Sequence, residues 1–335
     1  MSARRVSPKR SDTQSSTATV AETVQGKPGA ATQPNGMFAE LCIGKAIHYR
    51  NLTVFPLSWA HPYEAPYVLL GTAIEAGQAV VEEVSESGSV PNLAVTNKAD
   101  RPLLIPEGEI LIGAKQNRVV NVTVLVAAGV KFLMPVSCVE AGRWRYQSRH
   151  FESKFHSPPS LRHKKLKAIH RNRSESGIAA SDQGEVWDEV QACLNKVDAR
   201  SETSSLTDGF LASEERLKEY RHEFSLPADA AGVLVAKGTK VIGMDLFDSP
   251  TTLQAIWHRL RDAYFFDAPG DNHKRRATSR KTALAFLDHV AASARPRQSA
   301  LGLGEELEIA GEDLVGGALT YSGHLCHVAA FSESA

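Results

Sequence analysis

Cysteines are few in this sequence, and long apolar runs are absent. The four cysteines of the 335 residues lie far apart, with no Cys-x-x-Cys pair among them, which argues against a disulfide scaffold and a zinc ribbon. No apolar run approaches the roughly 20 residues of a membrane-spanning helix, and none follows the basic residues at the N-terminus. We therefore expect a cytoplasmic protein with reduced thiols and no membrane association.

Net charge is absent as well, because 38 Lys and Arg balance 38 Asp and Glu. A neutral chain has no overall field that would attract a polyanion, so charge arguments must be local. The sequence also lacks G-x-x-x-x-G-K-[ST], G-x-S-x-G and H-E-x-x-H, the signatures of common phosphate-binding loops, hydrolases and metalloproteases. No reaction is therefore indicated by a familiar motif, and the cofactor stays unknown.

Large apolar side chains are nearly missing from residues 1–36, which are rich in Ser, Thr, Gln, Pro, Gly and Ala. Such a segment cannot bury enough surface to offset the entropy that ordering would cost, so a disordered tail is predicted. The whole sequence is 42% apolar and 23% charged, which is typical of a globular protein. A chain of this length can bury a substantial core.

Short β-branched runs dominate residues 37–148. The runs "NLTVFPLS", "PNLAVTN" and "RVVNVTVLVAAGVKFLMPVSCV" are bounded by turn-forming residues, a pattern typical of β-strands. Gly129 can adopt the positive φ that a tight turn requires. Strands at short spacing without long helices predict a largely antiparallel sheet, arranged as a sandwich or barrel. We assign these residues to a β-rich domain that carries the polar motifs described below.

Helical patterns follow in the C-terminal half. Residues 149–225 are predicted to be a helical insertion, first basic and then acidic, and residues 226–335 an α+β segment that completes the fold. Asp182 can cap the helix in "SDQGEVWDEVQACLNKV", and Pro250 can begin the one in "SPTTLQAIWHRLRDAYFF". The predicted class is α+β, a largely antiparallel sheet with several packed helices.

A polar tetrad breaks the apolar pattern of the β-rich domain: Lys115, Gln116, Asn117 and Arg118, followed by Asn121. In a strand, Lys115 and Asn117 would share one face and Gln116 and Arg118 the other. In a turn, both cations could meet one anion. Amides bond hydroxyl groups and cations bond phosphates, so the set suits a phosphate or a ribose. The alternative is the solvated end of a hairpin.

The stretch "PVSCVEAGRW" is the second unusual piece of this domain. Glu140 near Arg143 could act as a general base, bind a metal or a ribose, or form a salt bridge. Trp144 could stack on a base or close an edge of the core. Cys138 has no histidine at a fixed spacing, which favours a buried structural thiol over a nucleophile.

Two further charge patterns allow functional and structural interpretations. Glu107 and Glu109 share one face if extended, which suits a divalent cation or an acid–base pair, or simply a charged turn. Residues 149–173 contain eight Lys or Arg against the single Glu152, a candidate surface for nucleic acid. The acidic segment that follows can neutralise this tract within the fold, so nucleic acid is not the expected partner. No metal site is predicted.

The segments "GEILIGAKQNRVVNVTVLV" and "VSCVEAGRW" resemble a known family, the ARG-and-rhodanese-phosphatase-superfamily-associated domain. The resemblance extends over about residues 38–330, with its specific motifs in 107–144. The family is named for ADP-ribosylglycohydrolases and rhodanese-like phosphatases that occur beside it. The resemblance therefore implies a link with ADP-ribose or NAD-derived metabolism through neighbours, which is an association. It implies no reaction and assigns no catalytic residue.

Together these observations predict a domain that binds, and could hydrolyse, an ADP-ribose-like or other phosphorylated nucleotide. Glu140 is the predicted catalytic residue, and hydrolysis of a phosphate or glycosidic bond is the reaction class expected of an enzyme here. Protein partners that act on ADP-ribose are also expected. The alternative is a non-catalytic protein-interaction module. The predicted ligand-binding residues are Lys115, Gln116, Asn117, Arg118, Asn121, Arg143 and Trp144.

Overall fold

A computed structural model describes residues 36–86, 88, 90–266, 268, 276–296 and 300–333. The predicted disordered tail therefore lies outside the described residues, apart from Gly36. The strands are β1 (Leu41–Ile43), β2 (Ile47–Tyr49), β3 (Leu52–Trp59), β4 (Val68–Leu69), β5 (Ala79–Glu83), β6 (Asn92–Asn97), β7 (Leu103–Ile105), β8 (Glu109–Gly113), β9 (Arg118–Val120), β10 (Val124–Val126), β11 (Lys131–Cys138), β12 (Phe151–His156), β13 (Gly232–Lys237), β14 (Lys240–Phe247), β15 (Ala294–Pro296), β16 (Glu305–Gly311), β17 (Leu314–Tyr321) and β18 (His324–Ser332). The helices are α1 (Leu70–Glu75), α2 (Pro159–Ser176), α3 (Gln183–Lys196), α4 (Leu206–Glu223), α5 (Pro250–Phe265) and α6 (Arg280–Ser293).

The strands form three sheets. A nine-stranded sheet has the order β1-β3-β13-β14-β18-β17-β16-β15, with β2 also paired to β3. A six-stranded sheet has the order β12-β8-β9-β11-β6-β5, and a three-stranded sheet has the order β10-β7-β4. Among the described pairings only β4–β7 is parallel. The predicted α+β class, with largely antiparallel sheets and helices mostly in the C-terminal half, is confirmed, and one sheet curls into a half-barrel.

The large sheet joins the two ends of the described chain. Strand β3 pairs with β13 in register, with Leu57 opposite Gly232 and Leu52 opposite Lys237. The first segment thus shares a sheet with the last one. The proposed domain boundaries at 37–148, 149–225 and 226–335 stay predictions.

Local sequence signals account for several elements. Asp182 accepts a hydrogen bond from the Glu185 amide at 3.1 Å and caps α3 as predicted. Helix α5 begins at Pro250, and Gly129 has the predicted positive φ of 72°. None of the helices in the described part of the chain combines the length and the apolar character that a membrane span requires.

Helix α2, within the basic tract, carries buried charges toward both large sheets. Arg162 donates to Asp245 from Nη1 at 2.8 Å and from Nη2 at 2.7 Å, and its Nε donates to Glu107 at 2.7 Å. Lys165 donates to Glu107 at 3.0 Å and to two backbone carbonyls at the end of β9, at 2.9 and 2.7 Å. We call these four residues the α2 network. Arg162 and Lys165, two of the eight basic residues of the 149–173 tract, are thus buried inside the fold and do not belong to a basic surface.

The α2 network keeps its carboxylates ionised. Burial alone would raise the pKa values of Asp245 and Glu107, but the nearby cations outweigh burial and hold both below their ordinary values. Tyr264 also donates to Asp245 at 2.7 Å. Because the folded pKa values are depressed, the stabilisation is complete above the unfolded pKa values of about 4 and is lost as the pH falls through the folded values.

We predict that Lys165→Met lowers the free energy of unfolding by about 3–5 kcal/mol, because Glu107 would lose one of its two buried cations. Urea denaturation measures this change. Lys167→Met is the matched control on the same helix, since Lys167 is exposed and lies 3.8 Å from the exposed Glu333. The control is expected to change stability by less than about 1 kcal/mol. Equal effects of the two substitutions would contradict a supporting role for the α2 network.

Candidate functional site

The predicted site residues lie where β8, β9 and β11 meet. Strand β9 pairs with β8 on one side and with β11 on the other. The tetrad occupies the connection from β8 into β9, and Glu140 follows the end of β11. All the predicted residues except Trp144 are buried: Lys115, Gln116, Asn117, Arg118, Asn121, Glu140 and Arg143.

Glu140 and Arg143 form a two-pronged ion pair. Arg143 Nε donates to Glu140 Oε1 at 2.9 Å, and Nη2 donates to Oε2 at 2.7 Å. The backbone N–H of Asn117 donates to Oε2 at 3.0 Å, and the Thr203 hydroxyl donates to Oε1 at 2.8 Å. Each oxygen of the carboxylate therefore has two protein donors. We call these four residues the Glu140 network.

The Glu140 network depresses the basicity of its carboxylate. Burial raises the pKa of Glu140. The hydrogen bonds from Arg143, from the backbone N–H of Asn117 and from Thr203 outweigh burial, so the pKa lies below its ordinary value. A general base needs a pKa near the working pH and a free lone pair. The four donors oppose both requirements, so this geometry favours a positioning role. The predicted catalytic role of Glu140 stays a prediction.

Arg143 also fixes the loop between β11 and β12, residues 141–150. Its Nη1 donates to the carbonyl of Ala114 at 2.7 Å and to that of Arg145 at 3.1 Å. The backbone N–H of Gln147 donates to the Ala114 carbonyl at 2.9 Å. The backbone of the 141–150 loop is thereby tied to the start of the tetrad, while most of its side chains face solvent.

Lys115 lies between two exposed aromatic rings of the 141–150 loop. Its Nζ is 5.4 Å from the centre of the Trp144 ring and 5.1 Å from that of Tyr146, distances that suit cation–π contacts. Trp144 is 47% exposed and Tyr146 is 51% exposed. The Lys115 ammonium also donates to the Glu86 carbonyl at 2.5 Å. The two exposed rings thus share one patch of the surface, with the buried Lys115 cation beneath them.

Arg118 is fully buried behind Trp144, with its guanidinium carbon 5.6 Å from the ring centre. Its Nη1 donates to Gln116 at 3.0 Å. The Glu83 carboxylate is 3.7 Å from Nη2, too far for a hydrogen bond, and Nε and Nη2 have no hydrogen-bond partner among the described residues. Burial raises the pKa of the neighbouring Cys138 although Arg118 opposes it, which disfavours a thiolate there.

Asn121 makes contacts outside the Glu140 network. Its side chain accepts from the Ser137 hydroxyl at 2.7 Å and donates to the Ala179 carbonyl at 3.4 Å. The structure therefore brings the tetrad together with Glu140, Arg143 and Trp144, whereas Asn121 serves the contact of β11 with the approach to α3. No separate ligand contact of Asn121 is suggested by this geometry.

The paired carboxylates at 107 and 109 do not act on one shared ligand. Glu107 belongs to the α2 network, whereas Glu109 lies 3.3 Å from the Arg259 guanidinium and accepts from Ser153. Burial raises the pKa of Glu109 against the effect of Arg259. Among the residues that the structure describes, no group of three or more His, Cys, Asp or Glu could hold a metal ion.

Hydroxyl residues at the start of α4 and just before it complete the site, and the sequence does not predict their role. The Asn117 side chain donates to Ser205 at 3.2 Å and to Thr207 at 3.4 Å, and Thr203 bonds Glu140. The run "SETSSLT" is typical of a helix start. That signal could have located the helix, but not its docking against β9, because the contact spans about ninety residues of chain.

We predict that Arg143→Ala lowers the free energy of unfolding by about 3–5 kcal/mol, because Glu140 would remain buried without its cation. Arg145→Ala is the matched control in the same loop. Arg145 is exposed, and its removal is expected to change stability by less than about 0.5 kcal/mol. Chemical denaturation of both variants tests this, and a small effect for Arg143 would refute its anchoring role.

Comparison with known proteins places the chain in one family. No curated protein matches it, and no solved structure matches it. Residues 40–331 match the family model described as the ARG and Rhodanese-Phosphatase-superfamily-associated Protein domain, ARPP-1. Because this match extends over nearly the whole chain, the protein belongs to the ARPP-1 family.

Proposed function

We propose that this protein binds a phosphorylated nucleotide-like molecule of the ADP-ribose class, in the cytoplasm, on the 141–150 loop together with Lys115. One observation carries the proposal. The Lys115 ammonium lies about as close to the Trp144 ring as to the Tyr146 ring, at 5.4 and 5.1 Å, and both rings are about half exposed. Two half-exposed aromatic rings beside a buried cation suit a ligand that has both rings and negative charge.

The charge of the loop favours the same ligand class. Residues 141–151 contain three arginines and no Asp or Glu, and Arg145 and Arg149 are exposed. Guanidinium groups bind phosphate through paired hydrogen bonds. Aromatic side chains that stack on bases contribute about 1–3 kcal/mol per base in proteins that bind single strands. A nucleotide with two phosphates could use both kinds of contact at once.

The buried residues support this surface rather than form it. Arg143 is engaged by Glu140 and by backbone carbonyls, so it positions the loop instead of binding phosphate. Asn117 is likewise satisfied within the Glu140 network. Arg118 adds positive charge beneath Trp144 and retains unbonded N–H groups. In this proposal the ligand therefore meets Trp144 and Tyr146 directly, the buried Lys115 adds positive charge beneath them, and the Glu140 network keeps the 141–150 loop in place.

The family supports the ligand class by association alone. Its name refers to ARG and rhodanese-phosphatase superfamilies, of which the first denotes enzymes that act on ADP-ribose. Proteins that process ADP-ribose are therefore the proposed partners. Binding is the function proposed for this chain, since the Glu140 carboxylate is occupied by four donors. Hydrolysis stays a prediction, and Glu140→Gln tests it: loss of turnover with retained binding supports catalysis, whereas loss of folding supports a positioning role.

We predict that ADP-ribose, NAD or ADP stabilises the purified protein against heat. A ligand at 100 times its Kd should add about 2.7 kcal/mol, a rise of several degrees in Tm. Trp144→Ala should weaken binding about tenfold, because one stacking surface would be lost. Titration calorimetry with the most stabilising ligand measures the difference.

Trp187→Ala is the matched control, since Trp187 is an exposed tryptophan on α3 outside the proposed surface. It is expected to leave affinity unchanged. Ribose phosphates and divalent cations complete the screen. A flat screen over all these ligands would overturn the proposal and favour the alternative, a protein-interaction module in which Trp144 and Tyr146 meet another protein.

A further inference from the structure

A second surface, separate from the 141–150 loop, surrounds a cleft of about 280 Å³. Strands β3 and β14 end at this cleft, and the turn between β17 and β18 closes one side. Its lining includes Glu40, Trp59, His61, Tyr63, Asp248 and His324. None of these residues belongs to the Glu140 network or to the α2 network.

Asp248 has a buried side-chain oxygen without a close hydrogen-bond partner at the edge of this cleft. The residue is only 4% exposed and lines the cleft just after the end of β14. One oxygen, Oδ1, accepts a hydrogen bond from the Tyr67 hydroxyl. The other, Oδ2, has no hydrogen-bond partner among the described residues. A buried carboxylate oxygen without a donor is costly, so a donor that enters the cleft would be favourable.

The walls of the cleft are aromatic and its charged groups are acidic. Tyr63 stacks on His324 with ring centres 3.6 Å apart and an angle of 14° between the planes. Trp59 is held by a hydrogen bond of 2.6 Å from its indole N–H to the Phe247 carbonyl. The described lining contains two carboxyl groups and no Lys or Arg. Aromatic faces combined with carboxylates recognise organic cations.

We infer that this cleft binds a small organic cation, a primary ammonium compound whose N–H groups donate to Asp248 and whose carbon chain lies against Trp59 and Tyr63. The volume of about 280 Å³ lies just below the range of about 300–1,000 Å³ that is usual for ligand sites, so a compact amine fits better than a nucleotide. The two carboxyl groups would repel phosphate. This inference is therefore independent of the function proposed for the 141–150 loop.

The ionisation of Asp248 should set the pH dependence of binding. Burial raises its pKa to about 7, although the hydrogen bond from Tyr67 and the nearby backbone N–H groups of Asp248 and Ser249 oppose the rise. Below pH 7 the carboxyl binds a proton instead of the amine, so affinity should fall about tenfold for each pH unit. The other titratable groups facing this position are Tyr67, Cys326, Tyr63, His61, His324 and Glu40.

The test is titration calorimetry of the full chain at pH 8 with 1,4-diaminobutane. Asp248→Asn should weaken binding about tenfold or more, because a charged hydrogen bond would be replaced by a neutral one. It should also remove the component of the pH dependence centred near 7. Asp100→Asn, at an exposed turn between β6 and β7, is the matched control and should bind like the unaltered protein. Tetramethylammonium, which has no N–H donor, should bind more weakly than the diamine.

Folding of the variant is checked by its Tm. The raised folded pKa means that ionised Asp248 destabilises the protein as the pH rises from about 4 to 7, so Asp248→Asn should raise the Tm at pH 8. If that variant fails to fold, Tyr63→Leu tests the aromatic side of the cleft instead. It should weaken diamine binding severalfold. The inference is overturned if the diamine does not bind at millimolar concentration, or if the folded variant binds it equally well. Displacement of the diamine by inorganic phosphate would also overturn it.

Discussion

The buried ion pair between Arg162 and Asp245 holds the two large sheets together. Asp245 lies on β14 in the nine-stranded sheet, Arg162 lies on α2, and Glu107 lies in the turn that leads into β8 of the six-stranded sheet. One guanidinium thus bonds to carboxylates from both sheets. Because the three groups are almost fully desolvated, any displacement of α2 would leave a charge buried and unpaired, which costs several kcal/mol. The relative position of the sheets therefore depends on this contact.

The Glu140 network repeats the same arrangement closer to the surface. Again an arginine donates two hydrogen bonds to a carboxylate, and again hydrogen bonds from other elements complete the set. In the α2 network the result is a rigid junction between sheets. In the Glu140 network the result is a fixed backbone beneath exposed rings. A surface whose loop is already ordered loses less entropy when a ligand binds, so buried polar residues can serve binding without touching the ligand.

The sequence predicts local elements better than it predicts partners. The cap at Asp182, the start of α5 at Pro250 and the strand-rich first segment all follow from signals within a few residues, and the structure confirms them. The sequence can also indicate that the tetrad lies near Glu140 and Arg143, because these residues are close to each other in the chain. The bond from Arg162 to Asp245 spans 83 residues, and no local periodicity specifies such a pair. The buried position of Asp248 cannot be predicted locally for the same reason, because Tyr67 and the β17–β18 turn, which lie near it, are distant in the chain.

Although the net charge of the chain is zero, two of its surfaces carry charges of opposite sign. The 141–150 loop presents arginines around open aromatic rings, whereas the cleft at Asp248 presents carboxyl groups beside stacked rings. Both offer aromatic faces, so apolar contact alone would not distinguish their ligands. Under the two proposals the sign of the neighbouring charge does: phosphate would be favoured at the loop and opposed in the cleft, and an ammonium group would show the reverse preference. Since the buried charges of both networks are largely paired internally, the exposed and cleft-lining groups would determine which ligand each proposed surface selects.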